Sequence, residues 1–141
     1  MLHRSRLATT SRLRALGRLA IFADLSPADL RRLDPLMCAV HRRAGQVLTR
    51  QGCVGREAFV VVSGTADVQV EGRTVGRLGP GDVIGELALL TGEPRNATVT
   101  ALTDMELLVL DRSQFAELLR DERVAGRIAA AARIRRRVPA R

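Results

Sequence analysis

The middle of the chain, from about residue 44 to residue 111, carries a hydrophobic pattern with a period of two. In residues 66–71, apolar side chains alternate with acidic or amide side chains, which is typical of a strand with one face in water. Residues 59–62 form an unbroken Phe and Val run, which indicates a buried strand. Turn signals recur roughly every eight to twelve residues, a spacing that favours a sandwich or barrel over a parallel sheet. The region is therefore predicted to hold about eight antiparallel strands.

The segment before these strands has helical character. Leucines recur at helical intervals in residues 12–22, which predicts a short amphipathic helix. Ser26 followed by Pro27 is a typical helix start, and Pro35 limits the helix that follows to a short or kinked one. Residues 1–11 lack an apolar period and are predicted to form a flexible basic N-terminus.

The segment after the strands is also helical. Asp111 and Ser113 are both suitable helix caps, and apolar residues then recur on one face through residues 113–138. Residues 12–141 are expected to form a single domain, because a chain of this length matches the usual size of one domain.

The net charge of +8 is concentrated at the two ends. Residues 1–18 hold five arginines and no acid, and residues 120–141 hold eight arginines and two acids. Residues 19–119 hold ten arginines and thirteen acids, so the central region is slightly acidic. The basic ends could serve contacts with nucleic acid, an acidic partner or an anionic surface, or could simply increase solubility.

Several protein classes are not expected from the composition. No apolar run reaches the length of a membrane-spanning helix, and no signal peptide is evident, so we expect a cytoplasmic protein without a membrane span. Cys38 and Cys53, together with His3 and His41, lack the spacing of a zinc site or a disulfide framework. Free thiols, with no metal and no cofactor, are the prediction.

The most informative chemistry lies in residues 79–101. Gly85 precedes a short run of helix formers, and a helix start after glycine presents free backbone N–H groups to an anion. Arg95 follows Pro94 and can add a guanidinium to those donors, while Glu86 offers a carboxylate for a hydroxyl group. This combination suits a ligand that carries both a phosphate and a ribose.

The same residues resemble a known family. Residues 85–89 (GELAL) and 94–99 (PRNATV) are similar to the phosphate-binding cassette of the cyclic nucleotide-binding domain family, and the resemblance extends from about residue 19 to the C-terminus. Prokaryotic cyclic nucleotide-gated potassium channels carry the binding domain that this chain most resembles. The resemblance implies an eight-stranded, jelly-roll-like β-roll over about residues 44–111, with N-terminal helices, a cassette helix and C-terminal helices.

The resemblance also implies a role for each residue of the site. Arg95 matches the arginine that pairs with the cyclic phosphate, and Glu86 matches the acid that binds the ribose 2′-hydroxyl. The backbone donors that complete the phosphate pocket match Gly85, Glu86, Leu87, Ala88 and Ala97.

Two further positions concern the base of the ligand. Asn96 matches a selectivity position, and its polarity favours cyclic AMP over cyclic GMP. Arg135 lies on the apolar face of the last predicted helix, where the resemblance to the potassium channels implies an arginine that stacks on the purine.

The sequence leaves three classes of function open. The favoured one is a non-catalytic sensor that binds a cyclic nucleotide, moves its C-terminal helix and signals to an effector protein that the sequence does not identify. No nucleophile with a base, no metal cluster and no paired carboxylates are evident. The alternatives are part of a transcriptional regulator that binds nucleic acid, although no specific DNA contact is expected from the residues after 120, and a β-roll that acts as a protein-interaction module.

Overall fold

The computed structural model describes the backbone of residues 12–137 and, apart from Leu87, the side chains of residues 12–131. Residues 12–17 are helical and are labelled α1. The remaining helices are α2 (Pro27–Leu33), α3 (Glu86–Thr91), α4 (Arg112–Leu119) and α5 (Glu122–Arg137), with short 3-10 turns at Ala20–Phe22 and Asp34–Leu36. The strands are β1 (Cys38–Arg42), β2 (Val47–Thr49), β3 (Glu57–Ser63), β4 (Ala66–Val70), β5 (Arg73–Leu78), β6 (Val83–Ile84), β7 (Thr98–Ala101) and β8 (Met105–Asp111).

The eight strands form two four-stranded antiparallel sheets, with the orders β1-β8-β3-β6 and β2-β7-β4-β5. With helices on both sides along the chain, this confirms the predicted fold class, a mainly β domain with eight strands and flanking helices. Among residues 12–137, no helix combines the length and the apolar character needed to cross a membrane.

Two short strands were not located individually by the sequence pattern. The first, β1, begins at Cys38, earlier than the predicted onset near residue 44. Among the described residues it is an edge strand that pairs only with β8 and stays largely exposed, so its apolar residues do not alternate clearly. The second, β6, has two residues, too few to show a period. The helix α2 ends at Leu33, since Pro35 cannot continue it.

Strand β3 is buried on both faces, and this explains its unbroken apolar run. Phe59 and Val61 belong to the cluster between the two sheets, and Ala58 and Val60 belong to a second cluster that packs under the helices. The sheet that contains β3 is therefore the middle layer of the domain, with the other sheet on one face and helices on the opposite face.

Capping boxes stabilise the starts of two helices, and buried side chains pack the helices on the second cluster. Ser26 and Asp29 form a capping box at the start of α2, and Asp111 and Gln114 form another at the start of α4. Of the two predicted caps for the C-terminal helices, Asp111 is the one used. The buried side chains that join α4 and α5 to the N-terminal segment include Phe22, Leu33, Phe115, Leu118, Val124 and Ile128.

Ion pairs join the first turns of α5 to the N-terminal helical segment. Arg127 donates from Nε and Nη2 to the two carboxylate oxygens of Asp24, over 2.8 and 2.9 Å. Arg123 reaches Asp29 over 3.1 Å and Asp121 over 2.8 Å. The hydrogen bonds from Arg123 lower the pKa of Asp121 to about 2, although partial burial opposes this.

The ion-pair cluster predicts how stability depends on acid. A carboxyl group with a pKa of about 2 in the folded chain and about 3.9 in the unfolded chain stabilises the fold above pH ~4 and loses that contribution as the pH falls towards 2. Asp121→Asn keeps a side chain that can cap α5 but removes the charge. We expect the gap in unfolding free energy between the parent chain and Asp121→Asn, measured by urea titration, to narrow from pH 5 to pH ~2.5.

A control distinguishes this contribution from general acid sensitivity. Glu117 pairs with Arg120 within the α4 region, and its side chain is 53% exposed. At every pH, the unfolding free energy of Glu117→Gln should therefore differ less from that of the parent chain than the value for Asp121→Asn does. A gap for Asp121→Asn that stays constant across this pH range would contradict the prediction.

Candidate functional site

The helix α3 has a glycine as its N-cap residue, which has no side chain with which to cap the helix. Gly85 follows the last residue of β6 and adopts φ +82°, a left-handed conformation that suits glycine. Its position as N-cap leaves the first N–H groups of α3 without a side-chain acceptor from the cap. The helix ends at Gly92, which has φ +75° and donates its N–H to the carbonyl of Ala88.

Arg95 points into the protein and is the central cation of this region. The residue is 8% exposed. Its Nη1 donates to the carbonyl of Gly85 over 3.0 Å, and its Nη2 donates to the carbonyl of Glu57, at the start of β3, over 2.7 Å. Burial lowers the pKa of the Arg95 guanidinium, and the carboxylates of Glu57 and Glu86 act in the opposite direction. The cation therefore lies beside the N-terminus of α3, as the sequence predicted.

The backbone around Arg95 is held by the loop between β2 and β3. The N–H of Arg95 donates to the carbonyl of Cys53 over 2.8 Å, and the N–H of Gly52 donates to the carbonyl of Arg95 over 2.8 Å. Val54 and Pro94 form a β-bridge alongside. The main chain of Arg95 is thus held by the β2–β3 loop, whereas its side chain is held by the carbonyls of Gly85 and Glu57.

The structure brings most of the predicted site residues together. Glu86 occupies the first turn of α3 and is buried, at 8% exposure. Ala88 and Ala97 are also buried, and the carbonyl of Ala97 accepts a hydrogen bond from Thr49 Oγ over 3.1 Å. Asn96 follows Arg95 in the loop and is exposed.

Two predicted site residues are described only in part. Leu87 lies in α3, but its side chain is outside the described residues. Arg135 lies in the last turns of α5, and its side chain is likewise outside the described residues, so its stacking role stays a prediction.

Sequence reasoning missed two contributors to the site. The carbonyl of Glu57 accepts from Arg95, and Gly55 lies against the guanidinium, where a Cβ atom would come within 2.8 Å of Cζ and Nε. The only sequence signal was the pair Gly52 and Gly55, which reads as a loop. A hydrogen bond to a main-chain carbonyl leaves no trace in residue identity.

The arrangement suits an anionic ligand that also carries hydroxyl groups. A guanidinium and the N–H groups at the start of a helix both favour negative charge, and a carboxylate accepts from a hydroxyl. Within the described part of the chain, no group of three or more His, Cys, Asp or Glu side chains is placed to hold a metal ion. The two cysteines, Cys38 and Cys53, are exposed free thiols.

Comparison with known proteins identifies the family of the chain. The sequence profile of the cyclic nucleotide-binding domain matches residues 39–122. The chain belongs to the cyclic nucleotide-binding domain family. The resemblance seen in residues 85–99 is therefore confirmed, and the matched segment contains every strand from β2 to β8 together with α3 and Arg95.

The chain spans less than a third of the length of the curated relatives described here. A cGMP-dependent protein kinase of Caenorhabditis briggsae is 47% identical over 92 residues, which is 65% of this chain and 12% of the kinase. A cyclic nucleotide-gated potassium channel of Mesorhizobium japonicum is 40% identical over 98 residues, 70% of this chain and 27% of the channel. The structure of the regulatory domain of Toxoplasma gondii PKA with cAMP is similar with a TM-score of 0.62 and 35% identity, covering 74% of this chain and 42% of that one.

Alanine substitutions at Gly85 and Gly92 test whether Arg95 occupies the space beside the start of α3. Both have positive φ, so alanine at either position should destabilise the fold by about 1–2 kcal/mol. A Cβ at Gly85 would also lie 2.0 Å from Arg95 Nη1, whereas a Cβ at Gly92 meets nothing closer than Arg112 Nη2 at 3.8 Å. We expect Gly85→Ala to cost a further ~1–3 kcal/mol over Gly92→Ala in urea unfolding. Equal costs would show that Arg95 does not occupy this position.

Proposed function

We propose that this chain binds a cyclic nucleotide, with cyclic AMP favoured over cyclic GMP, and acts as a non-catalytic sensor module. The observation that carries the proposal is the inward position of Arg95, whose guanidinium lies beside the uncapped start of α3. The ligand's phosphate would accept from the guanidinium and from the backbone N–H groups of residues 85–88 and Ala97. Membership of the cyclic nucleotide-binding domain family supports this ligand class.

The burial of Arg95 supports a role in binding an anion. The cation is already withdrawn from water in the folded chain, and this burial lowers its pKa. Two of its N–H groups donate to carbonyls, and a guanidinium has five in total. A phosphate anion would add charge-assisted hydrogen bonds to a donor whose orientation is already fixed.

Glu86 is proposed to bind the ribose. Its carboxylate lies in the first turn of α3, next to the proposed phosphate donors, so one ligand can reach both. A carboxylate accepts from a ribose hydroxyl, and a buried acceptor discriminates strongly against a ligand that lacks the hydroxyl.

The preference for cyclic AMP rests on Asn96, a polar and exposed residue directly after Arg95. Similar proteins include examples named for each nucleotide, a cGMP-dependent kinase and a regulatory domain bound to cAMP. The exposed position of Asn96 is compatible with a contact to the base, and direct comparison of the two nucleotides tests the preference.

The proposed signal is a movement of α5 towards the ligand. Leu89 of α3 belongs to the same buried cluster as Val124 and Ile128 of α5, so a shift of α3 changes the packing surface under α5. Arg135 would then stack on the base. Because ligand binding shifts an equilibrium between two arrangements, an effector protein could read the position of α5 in the cytoplasm, without catalysis by this domain.

Removal of the guanidinium tests the proposed phosphate contact. Arg95→Ala should weaken cyclic AMP binding by about 1.5–3 kcal/mol, roughly ten- to a hundredfold in the dissociation constant, measured by titration calorimetry. Arg56→Ala is the matched control, since Arg56 is exposed in the loop beside Arg95 and its loss changes the net charge equally. Unchanged affinity in a folded Arg95→Ala chain would eliminate the proposed contact.

A second experiment tests nucleotide preference and helix movement together. Titration of the 15N-labelled chain with cyclic AMP and with cyclic GMP is expected to give tighter binding of cyclic AMP. It should also shift amide signals in α3 and in α5, because the two helices share a buried cluster. Shifts confined to α3 would refute the movement of α5, and tighter binding of cyclic GMP would refute the base preference.

A further inference from the structure

The loop between β2 and β3 contains two glycines, Gly52 and Gly55, and only Gly52 has a backbone conformation that favours glycine. Gly52 has φ +84° and no atom within 4 Å of the site where a Cβ would lie, so its role is conformational. Gly55 is the opposite case, because it is absent from the positive-φ residues of the described chain and its surroundings are crowded. A Cβ at Gly55 would lie 2.8 Å from Cζ and Nε of Arg95 and 2.8 Å from Cβ of Ala88.

The guanidinium of Arg95 thus occupies the space beside Gly55 that any other side chain would fill. From there it donates to Gly85 and Glu57, and these hydrogen bonds of 3.0 and 2.7 Å require the plane to stay where Gly55 allows it. A methyl group at position 55 would displace the guanidinium, the flexible far end of a long side chain. Ala88 would also have to give way, and the displaced guanidinium would misdirect its remaining N–H donors.

We propose that Gly55 is a positioning residue for Arg95, required because any larger side chain pushes the guanidinium out of the orientation that receives the ligand's phosphate. The inference rests on the proposed function, in which Arg95 contacts a cyclic phosphate. It adds the β2–β3 loop to the parts of the chain that determine affinity, although Gly55 itself need not touch the ligand.

Gly55→Ala tests the inference, with Gly79→Ala as the matched control. Gly79 also lies in a loop, has no positive φ, and has no atom within 4 Å of its Cβ site. The first measurement is made on the 15N-labelled chain without ligand, on the Nε–H signal of Arg95, assigned by its loss in Arg95→Ala. The second is the affinity for cyclic AMP by calorimetry.

We expect Gly55→Ala to move the Arg95 Nε–H signal and to weaken cyclic AMP binding by about tenfold or more, the effect of a misaligned charge-assisted hydrogen bond. Gly79→Ala should do neither. In an Arg95→Ala background, Gly55→Ala should have no further effect on affinity, because it acts through the missing guanidinium. Retained affinity in Gly55→Ala, or an undiminished further loss in the double variant, would overturn the proposal.

The same set of variants keeps the two proposals separable. If Arg95→Ala binds cyclic AMP as tightly as the parent chain, the proposed function fails, whatever Gly55→Ala does. If Arg95→Ala loses affinity and Gly55→Ala keeps it, only the positioning role fails. If Gly55→Ala does not fold, recovery of folding in Gly55→Ala/Arg95→Ala supports the contact with Arg95, and failure to recover shows that the space serves Ala88 instead and overturns the proposal.

Discussion

The position of the buried Arg95 guanidinium depends on the backbone groups that surround it. Arg95 is 8% exposed, and its two described hydrogen bonds run to carbonyl oxygens of Gly85 and Glu57. Burial of a cation is costly unless its donors are satisfied, so these carbonyls and the absence of a side chain at Gly55 are conditions for its position. The loop before β3, the start of α3 and the loop before β7 are held together through this one side chain.

The layering of the domain places that cation close to the elements that could transmit a signal. The sheet containing β3 is covered by the second sheet on one face and by helices on the other, so both core clusters meet at β3. Ile84, directly before Gly85, packs between the sheets, whereas Leu89 of α3 packs under the helices. A displacement at the start of α3 is therefore felt in both clusters, because close-packed interiors transmit small shifts.

The N-terminal segment and α5 behave as one unit in this arrangement. Arg127 and Arg123 join α5 to Asp24 and Asp29, and Val124 and Ile128 pack beneath the same contacts. Both ionic and apolar contacts thus lie in the first turns of α5. Any movement of this helix would carry the N-terminal segment with it or break these pairs.

Local chemistry in the sequence was enough to predict the two-residue period of the strands, the caps at Ser26 and Asp111 and the glycine before α3, and to propose an anion-binding role for Arg95. These features depend on residues within one turn or one strand, where side-chain type and backbone preference act directly. Tertiary structure alone decided that the Glu57 carbonyl faces Arg95, that Gly55 lies against its guanidinium, and that β1 completes the middle sheet. Such contacts join distant segments through main-chain atoms. Because every residue has the same main-chain atoms, these contacts cannot be predicted from residue types.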